Sequence, residues 1–99
     1  MKVEWSPLAI ERAYEQARFI AADKPDAALR WLEGLFEIVD TLERFPDTGR
    51  VVPEIGNANI RELVYRKSHR VIYRRGKSSV AVLTVRRFRR LIDVSELGE

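Results

Sequence analysis

The chain has 99 residues, the size of one domain, since single domains run to roughly one or two hundred residues. Hydrophobic residues make up 45% and charged residues 33%, the balance of a folded globular chain and not of a disordered tail. With no cysteine and one histidine, His69, the composition excludes a disulfide framework, thiolate catalysis, sulfur-ligated zinc and most imidazole chemistry.

The first residues, Met1-Lys-Val-Glu-Trp5, lack the apolar run of a secretory signal. The uncharged run Ser78–Val85 is far too short to span about 30 Å of hydrocarbon. The expectation is one domain over residues 1–99, working in the cytoplasm with no membrane partner.

The net charge of +3 is unevenly spread. Residues 1–60 carry seven Lys/Arg against eleven Asp/Glu, a balance of −4. Residues 61–90 carry eleven Lys/Arg and one acid, Glu62, a balance of +10. Nine of those eleven cations are arginine, the side chain best suited to planar recognition of phosphate or carboxylate. A solvated strand face would explain scattered lysines; a block of arginines points instead to an anionic partner.

In chain order, residues 2–5 alternate Val3 with charged neighbours and predict a short strand. Ser6 and Pro7 then fit the N-cap and first position of a helix, and Trp5 and Ile10 fit the staple positions around that cap. Ile10, Ala13, Tyr14, Ala17 and Ala21 recur at helical spacing as its apolar stripe, with Phe19 on the opposite side. Asp23-Lys-Pro-Asp26 breaks the pattern. A second helix follows over 25–44, with Ala28, Leu32, Leu35, Phe36, Val39 and Leu42 flanked by Trp31, Ile38 and Phe45. The short break makes the pair an antiparallel hairpin.

Residues 46–59, with Pro46, Gly49, Pro53 and Gly56, read as a loop. From Ile60 the period changes to two, predicting strands over 60–65, 68–75 and 79–86, the last two joined by a tight turn at Arg75-Gly-Lys-Ser78. Val80–Val85 is apolar on both faces, as in a central strand. The fold class is therefore α+β, a helix hairpin on one face of a small, mainly antiparallel sheet. Two helices cover one face; the other needs the C-terminal tail or a partner chain.

Most chemical motifs are absent. No GxGxxG or GxxxxGK[ST] loop occurs, and no GxSxG elbow. Glu11 with Glu15 and Glu33 with Glu37 read as solvated helix charges, and His69 as a structural histidine beside a strand. No metal site and no cofactor are expected. The remaining feature is the basic block. Arg70 and Arg74 flank Ile72 on one strand face while Tyr73 takes the other. Arg86, Arg87, Arg89 and Arg90 surround Phe88. Arginines interleaved with aromatics bind phosphates and stack on bases, or bind acidic side chains of a protein; spacing alone does not choose.

The strings Phe45-Pro-Asp-Thr-Gly-Arg-Val-Val-Pro-Glu54, Ile60-Arg-Glu-Leu63, Arg70-Val-Ile-Tyr-Arg74, Val82-Leu-Thr-Val-Arg86 and Arg89-Arg90 together resemble the RelE/ParE toxin superfamily, over nearly the whole chain. The resemblance implies a bacterial type II toxin neutralised by a cognate antitoxin in a hetero-oligomer. RelE-like members cleave messenger RNA on the ribosome; ParE-like members inhibit DNA gyrase and lack the nuclease set. By position, Arg70 matches the central catalytic arginine of the RelE pattern and Arg61 one of its two strand lysines. The second lysine falls on Leu63, and the late tyrosine is missing. Cleavage through a 2′-hydroxyl needs a complete, preorganised set, and Arg61-Glu62-Leu63 is the string usual in ParE-like chains. The implied reading is thus a ParE-like gyrase inhibitor that acts by binding. A ribosome-dependent interferase using Arg61, Arg70 and Arg87 is the alternative, and a basic nucleic-acid-binding module a weaker one. The residues expected to meet target or antitoxin are Arg61, Arg70, Tyr73, Arg74, Arg86, Arg87, Phe88, Arg89 and Arg90.

Overall fold

The computed structural model describes residues 1–88 and 94–97. Strand β1 (Lys2–Trp5) leads into helices α1 (Pro7–Ala21) and α2 (Pro25–Asp40), the latter extended by a 3₁₀ turn at Thr41–Glu43. Strands β2 (Arg50–Val51), β3 (Ile60–Tyr65), β4 (His69–Arg75) and β5 (Ser79–Arg87) follow, then a 3₁₀ segment at Val94–Leu97. The five strands form one sheet in the order β1-β5-β4-β3-β2. Only the β1–β5 pair is parallel; the others are antiparallel.

Ser6 starts α1 as its residue type suggests. Its Oγ accepts from Ala9 N–H at 3.0 Å and donates to the Leu83 carbonyl at 3.0 Å, so one hydroxyl caps the helix and ties it to β5. The buried line of α1 is Ala9, Ala13 and Ala17. The expected stripe is thereby corrected, because Ile10 and Tyr14 remain 43% and 44% exposed. The helix packs closely on β5 through methyl groups, and that proximity leaves no room for larger side chains on the facing line. In α2 the buried set is Ala28, Trp31, Leu35 and Val39, with Leu32 and Phe36 half-buried. Phe45, expected on the flank of that helix, lies beyond its end and is 61% exposed.

Under the helices, Leu63, Tyr65, Val71, Tyr73, Val80, Val82 and Val85 complete the main core. A register shift between Ile72 and Tyr73 leaves Leu83 as an extra residue in β5, a bulge that lets Val82 and Val85 share the helix side. On the opposite face Ile60, Ile72 and Leu83 pack with Val52, Ile55 and Leu97. The chain itself therefore supplies much of the second layer. Leu97 comes from the expected tail, but Val52 and Ile55 come from the segment read only as a connector.

Candidate functional site

Glu62, the lone acid of the basic block, sits on β3 facing away from the helices, with its side chain fully buried. Its cross-strand neighbour on β2 is Arg50, whose Nε donates to Glu62 Oε2. From β4, Arg70 Nε donates to Glu62 Oε1 at 2.6 Å. The rest of the Arg70 guanidinium forms a two-pronged pair with Glu54, Nη1 to Oε2 at 2.8 Å and Nη2 to Oε1 at 2.9 Å. The Phe88 ring lies 5.8 Å from the Arg70 guanidinium carbon. Arg70 is 4% exposed. Its hydrogen bonds to Glu54 raise its pKa above the ordinary arginine value, and the same bonds hold the Glu54 carboxyl down at about 2. Its donors are spent on protein carboxylates.

Arg61 and Tyr73 are cross-strand partners on the helix side and do a different job. The Tyr73 hydroxyl donates to the Pro46 carbonyl at 2.7 Å and accepts from Gly49 N–H at 3.0 Å. Arg61 Nη1 donates to the Gly49 carbonyl at 2.8 Å. A Cβ on Gly49 would lie 2.6 Å from the Glu62 carbonyl oxygen and 2.7 Å from the Tyr73 hydroxyl, so only glycine allows this approach. The Phe45–Glu54 string is thus a clasp that closes on Tyr73, Arg61 and Arg70. Burial raises the Tyr73 phenol pKa, which keeps it neutral and donating.

The other expected residues divide between the two ends of β4 and β5. Arg86 Nη1 pairs with Glu96 at 2.6 Å, and Glu96 also accepts from Thr84 at 2.8 Å and meets Arg12 at 3.5 Å. Arg74, toward the other end of β4, is exposed and donates to the Leu97 carbonyl at 2.9 Å. Arg87 is exposed and lies over the Phe19 ring, 4.5 Å from its centroid, a cation–π contact that explains an otherwise solvent-facing phenylalanine. Phe88 is 40% exposed. Arg89 and Arg90 lie outside the described residues.

His69 is buried beside Trp31, with ring centroids 5.1 Å apart. Its Nε2 is 3.0 Å from Gln16 Oε1 and its Nδ1 2.8 Å from Ser68 Oγ. Because the Gln16 oxygen only accepts, Nε2 carries the proton and the serine hydroxyl donates to Nδ1. Burial, and then the charge of Arg87, push its pKa down, so the ring is neutral and structural. Among the described residues no three side chains of His, Asp or Glu converge as a metal site.

Two cations missed in the sequence stand at the same end. Arg66 and Lys67 form the β3–β4 turn, closed by Ser68 N–H on the Tyr65 carbonyl at 3.1 Å. Both have left-handed backbones, φ 50° and 62°. Phe88 N–H bonds to the Ser68 carbonyl at 2.9 Å, which joins this turn to the end of β5. Their signal was the two-residue break between strands.

The arrangement is therefore a small α+β domain whose central arginine is locked internally and whose exposed Arg66, Lys67 and Arg87 meet at one end of the sheet. Residues 3–92 match the family model for the ParE toxin of type II toxin–antitoxin systems, parDE. The chain belongs to the ParE toxin family. A solved structure titled as the chromosomal ParDE toxin–antitoxin system from P. aeruginosa is similar in fold, with a TM-score of 0.75 and 18% identity over 88% of this chain and 95% of that one. No relative was found among the curated proteins. Among the described residues no helix is long and apolar enough to cross a membrane.

Proposed function

We propose that this toxin arrests growth in the cytoplasm by binding DNA gyrase, without cleaving RNA, and that a cognate antitoxin neutralises it by covering the exposed arginines at the end of the sheet. The observation that supports binding over cleavage is the state of Arg70. A nuclease arginine must present donors to the scissile phosphate, whereas Arg70 is buried and bonded to Glu54 and Glu62. Arg61, the other cation of a RelE-like set, is bonded to the Gly49 carbonyl. Gyrase as the target follows from the ParE family resemblance.

The surface proposed for target or antitoxin is Arg87 and Phe88, with Arg89 and Arg90 in the same stretch of sequence; Arg70 supports it from within, while Arg74, Arg61 and Tyr73 lie toward the other end of β4. The test sets two assays side by side on the purified toxin: supercoiling by gyrase, and cleavage of messenger RNA on programmed ribosomes. Inhibited supercoiling with intact message is the expected result. Codon-specific cleavage that disappears in Arg87→Ala, with supercoiling untouched, replaces this reading with the interferase.

A further inference from the structure

The β3–β4 turn carries two cations in a backbone conformation that disfavours them. Turns with positive φ at both central residues suit Asn-Gly or Asp-Gly, because a Cβ in the left-handed region meets the neighbouring carbonyl. Arg66 and Lys67 occupy those two positions with φ 50° and 62°, and both are exposed. The turn needs neither charge to close, since its hydrogen bond runs between the Tyr65 and Ser68 backbones. Strain kept in a segment that an ordinary sequence would relieve points to a role outside the turn.

The surroundings indicate what that role meets. Arg66 lies over the Tyr65 ring, 5.3 Å from its centroid, and its Nη2 reaches the backbone carbonyl of Arg30 at 3.4 Å, so the turn lies against the segment of α2 that carries the exposed Arg30. On the α1 side, Arg18 and Arg87 line one cleft with Phe19, Gln16 and Glu15. Phe19, 66% exposed, carries the Arg87 guanidinium over its ring. Protein interfaces are centred on apolar anchors and are poor in lysine. The turn itself presents only Arg66, Lys67 and Ser68, all exposed, and cations with a hydroxyl are the equipment of phosphate-backbone contact.

We infer that the Arg66-Lys67 turn, with Arg30 beside it, is a docking site for the phosphodiester backbone of a nucleic-acid duplex. This goes beyond the gyrase contact and can fail without it, since it is read on the toxin alone. The experiment is fluorescence anisotropy of a labelled DNA duplex, and of an RNA duplex of the same sequence, titrated with toxin over a range of salt. Four chains are compared: wild type, Lys67→Gly, the double variant Arg66→Asn with Lys67→Gly, and Lys2→Gln, at the opposite end of the sheet, as the charge-matched control for Lys67→Gly.

Wild type binds with an affinity that falls as salt rises, and whichever duplex binds tighter identifies the source of the backbone. Each lost phosphate contact lowers the salt slope by about one, so the double variant loses about two units of slope and roughly ten-fold in affinity. Lys67→Gly, which relieves left-handed strain and leaves the Arg66 contacts in place, melts higher than wild type, so its weaker binding cannot be put down to unfolding. Lys2→Gln leaves the slope of wild type nearly in place. Duplex binding by the double variant equal to wild type overturns the inference. So does a wild-type chain that binds neither duplex, or one that prefers an acidic polypeptide of equal charge.

Discussion

Glu62 and Arg70 are held by one another in a place where neither tolerates being alone. Both side chains are buried, and removing one partner of a buried pair leaves an uncompensated charge at a cost of about 3–5 kcal/mol. Glu62→Ala should destabilise the domain by that amount in chemical denaturation, whereas Arg50→Ala, whose side chain is 56% exposed, should cost under about 1 kcal/mol. Glu54 adds a pH dependence. Bonding to Arg70 depresses its folded pKa from 4.5 to about 2, so its contribution is full above the unfolded value and is lost as pH falls from there through the folded one. Thermal melting followed between those two pH values should drop for wild type and drop less for Glu54→Gln. Equal slopes would mean that the Arg70–Glu54 pair is not formed in solution. Arg70 was legible as a special residue because it stands in a resemblance motif beside Ile72. Its confinement was not, since Glu54 comes from 16 residues earlier and only the folded loop brings it near.

The elements themselves were largely written in the sequence, and the exceptions have one physical source. Period-two alternation located β3 and β4 to within a residue, and the Ser6-Pro7 cap located α1. Periodicity defines a face only to within about one residue's rotation, however, and what packs against it decides the rest. α1 turns its alanines to β5 and leaves Ile10 and Tyr14 outside; α2 buries Trp31 and Leu35 and leaves Leu32 at the margin. Leu35→Ala should therefore cost about 2–5 kcal/mol, as full burial implies, and Leu32→Ala clearly less. Comparable losses at both sites, measured by denaturant midpoint, would place Leu32 and not Trp31 on the inner line. Gly34 is subject to a harder constraint. A Cβ there would collide with the Tyr65 hydroxyl, which donates to the Trp31 carbonyl at 2.7 Å. Gly34→Ala should separate that bond and destabilise, despite the higher helix propensity of alanine.

Across the whole molecule, the charge of the basic block divides into a part the fold consumes and a part it displays. Arg61, Arg70, Arg75 and Arg86 are spent on Asp47, Glu54, Glu62 and Glu96. Arg66, Lys67 and Arg87 are exposed at one end of the sheet and Arg74 and Lys77 toward the other, so the field that a partner meets at the Arg87 end is local. An antitoxin that covers this end should carry acidic residues, and exposed charge pairs are screened beyond about 8–10 Å at physiological salt. The affinity of the purified toxin for its antitoxin should then fall as salt rises. Arg87→Gln should weaken it at low salt, chiefly through slower association, and the difference from wild type should close at high salt. Gln keeps a planar head near Phe19 and Gln16, which separates loss of charge from loss of packing. Titration calorimetry over a salt series reads the affinity, and stopped-flow mixing reads the association rate. An Arg87→Gln chain whose affinity differs from wild type by the same factor at every salt concentration would show that Arg87 contributes shape and stacking instead of charge. The antitoxin would then have to be sought on the exposed Ile10–Tyr14 side of α1.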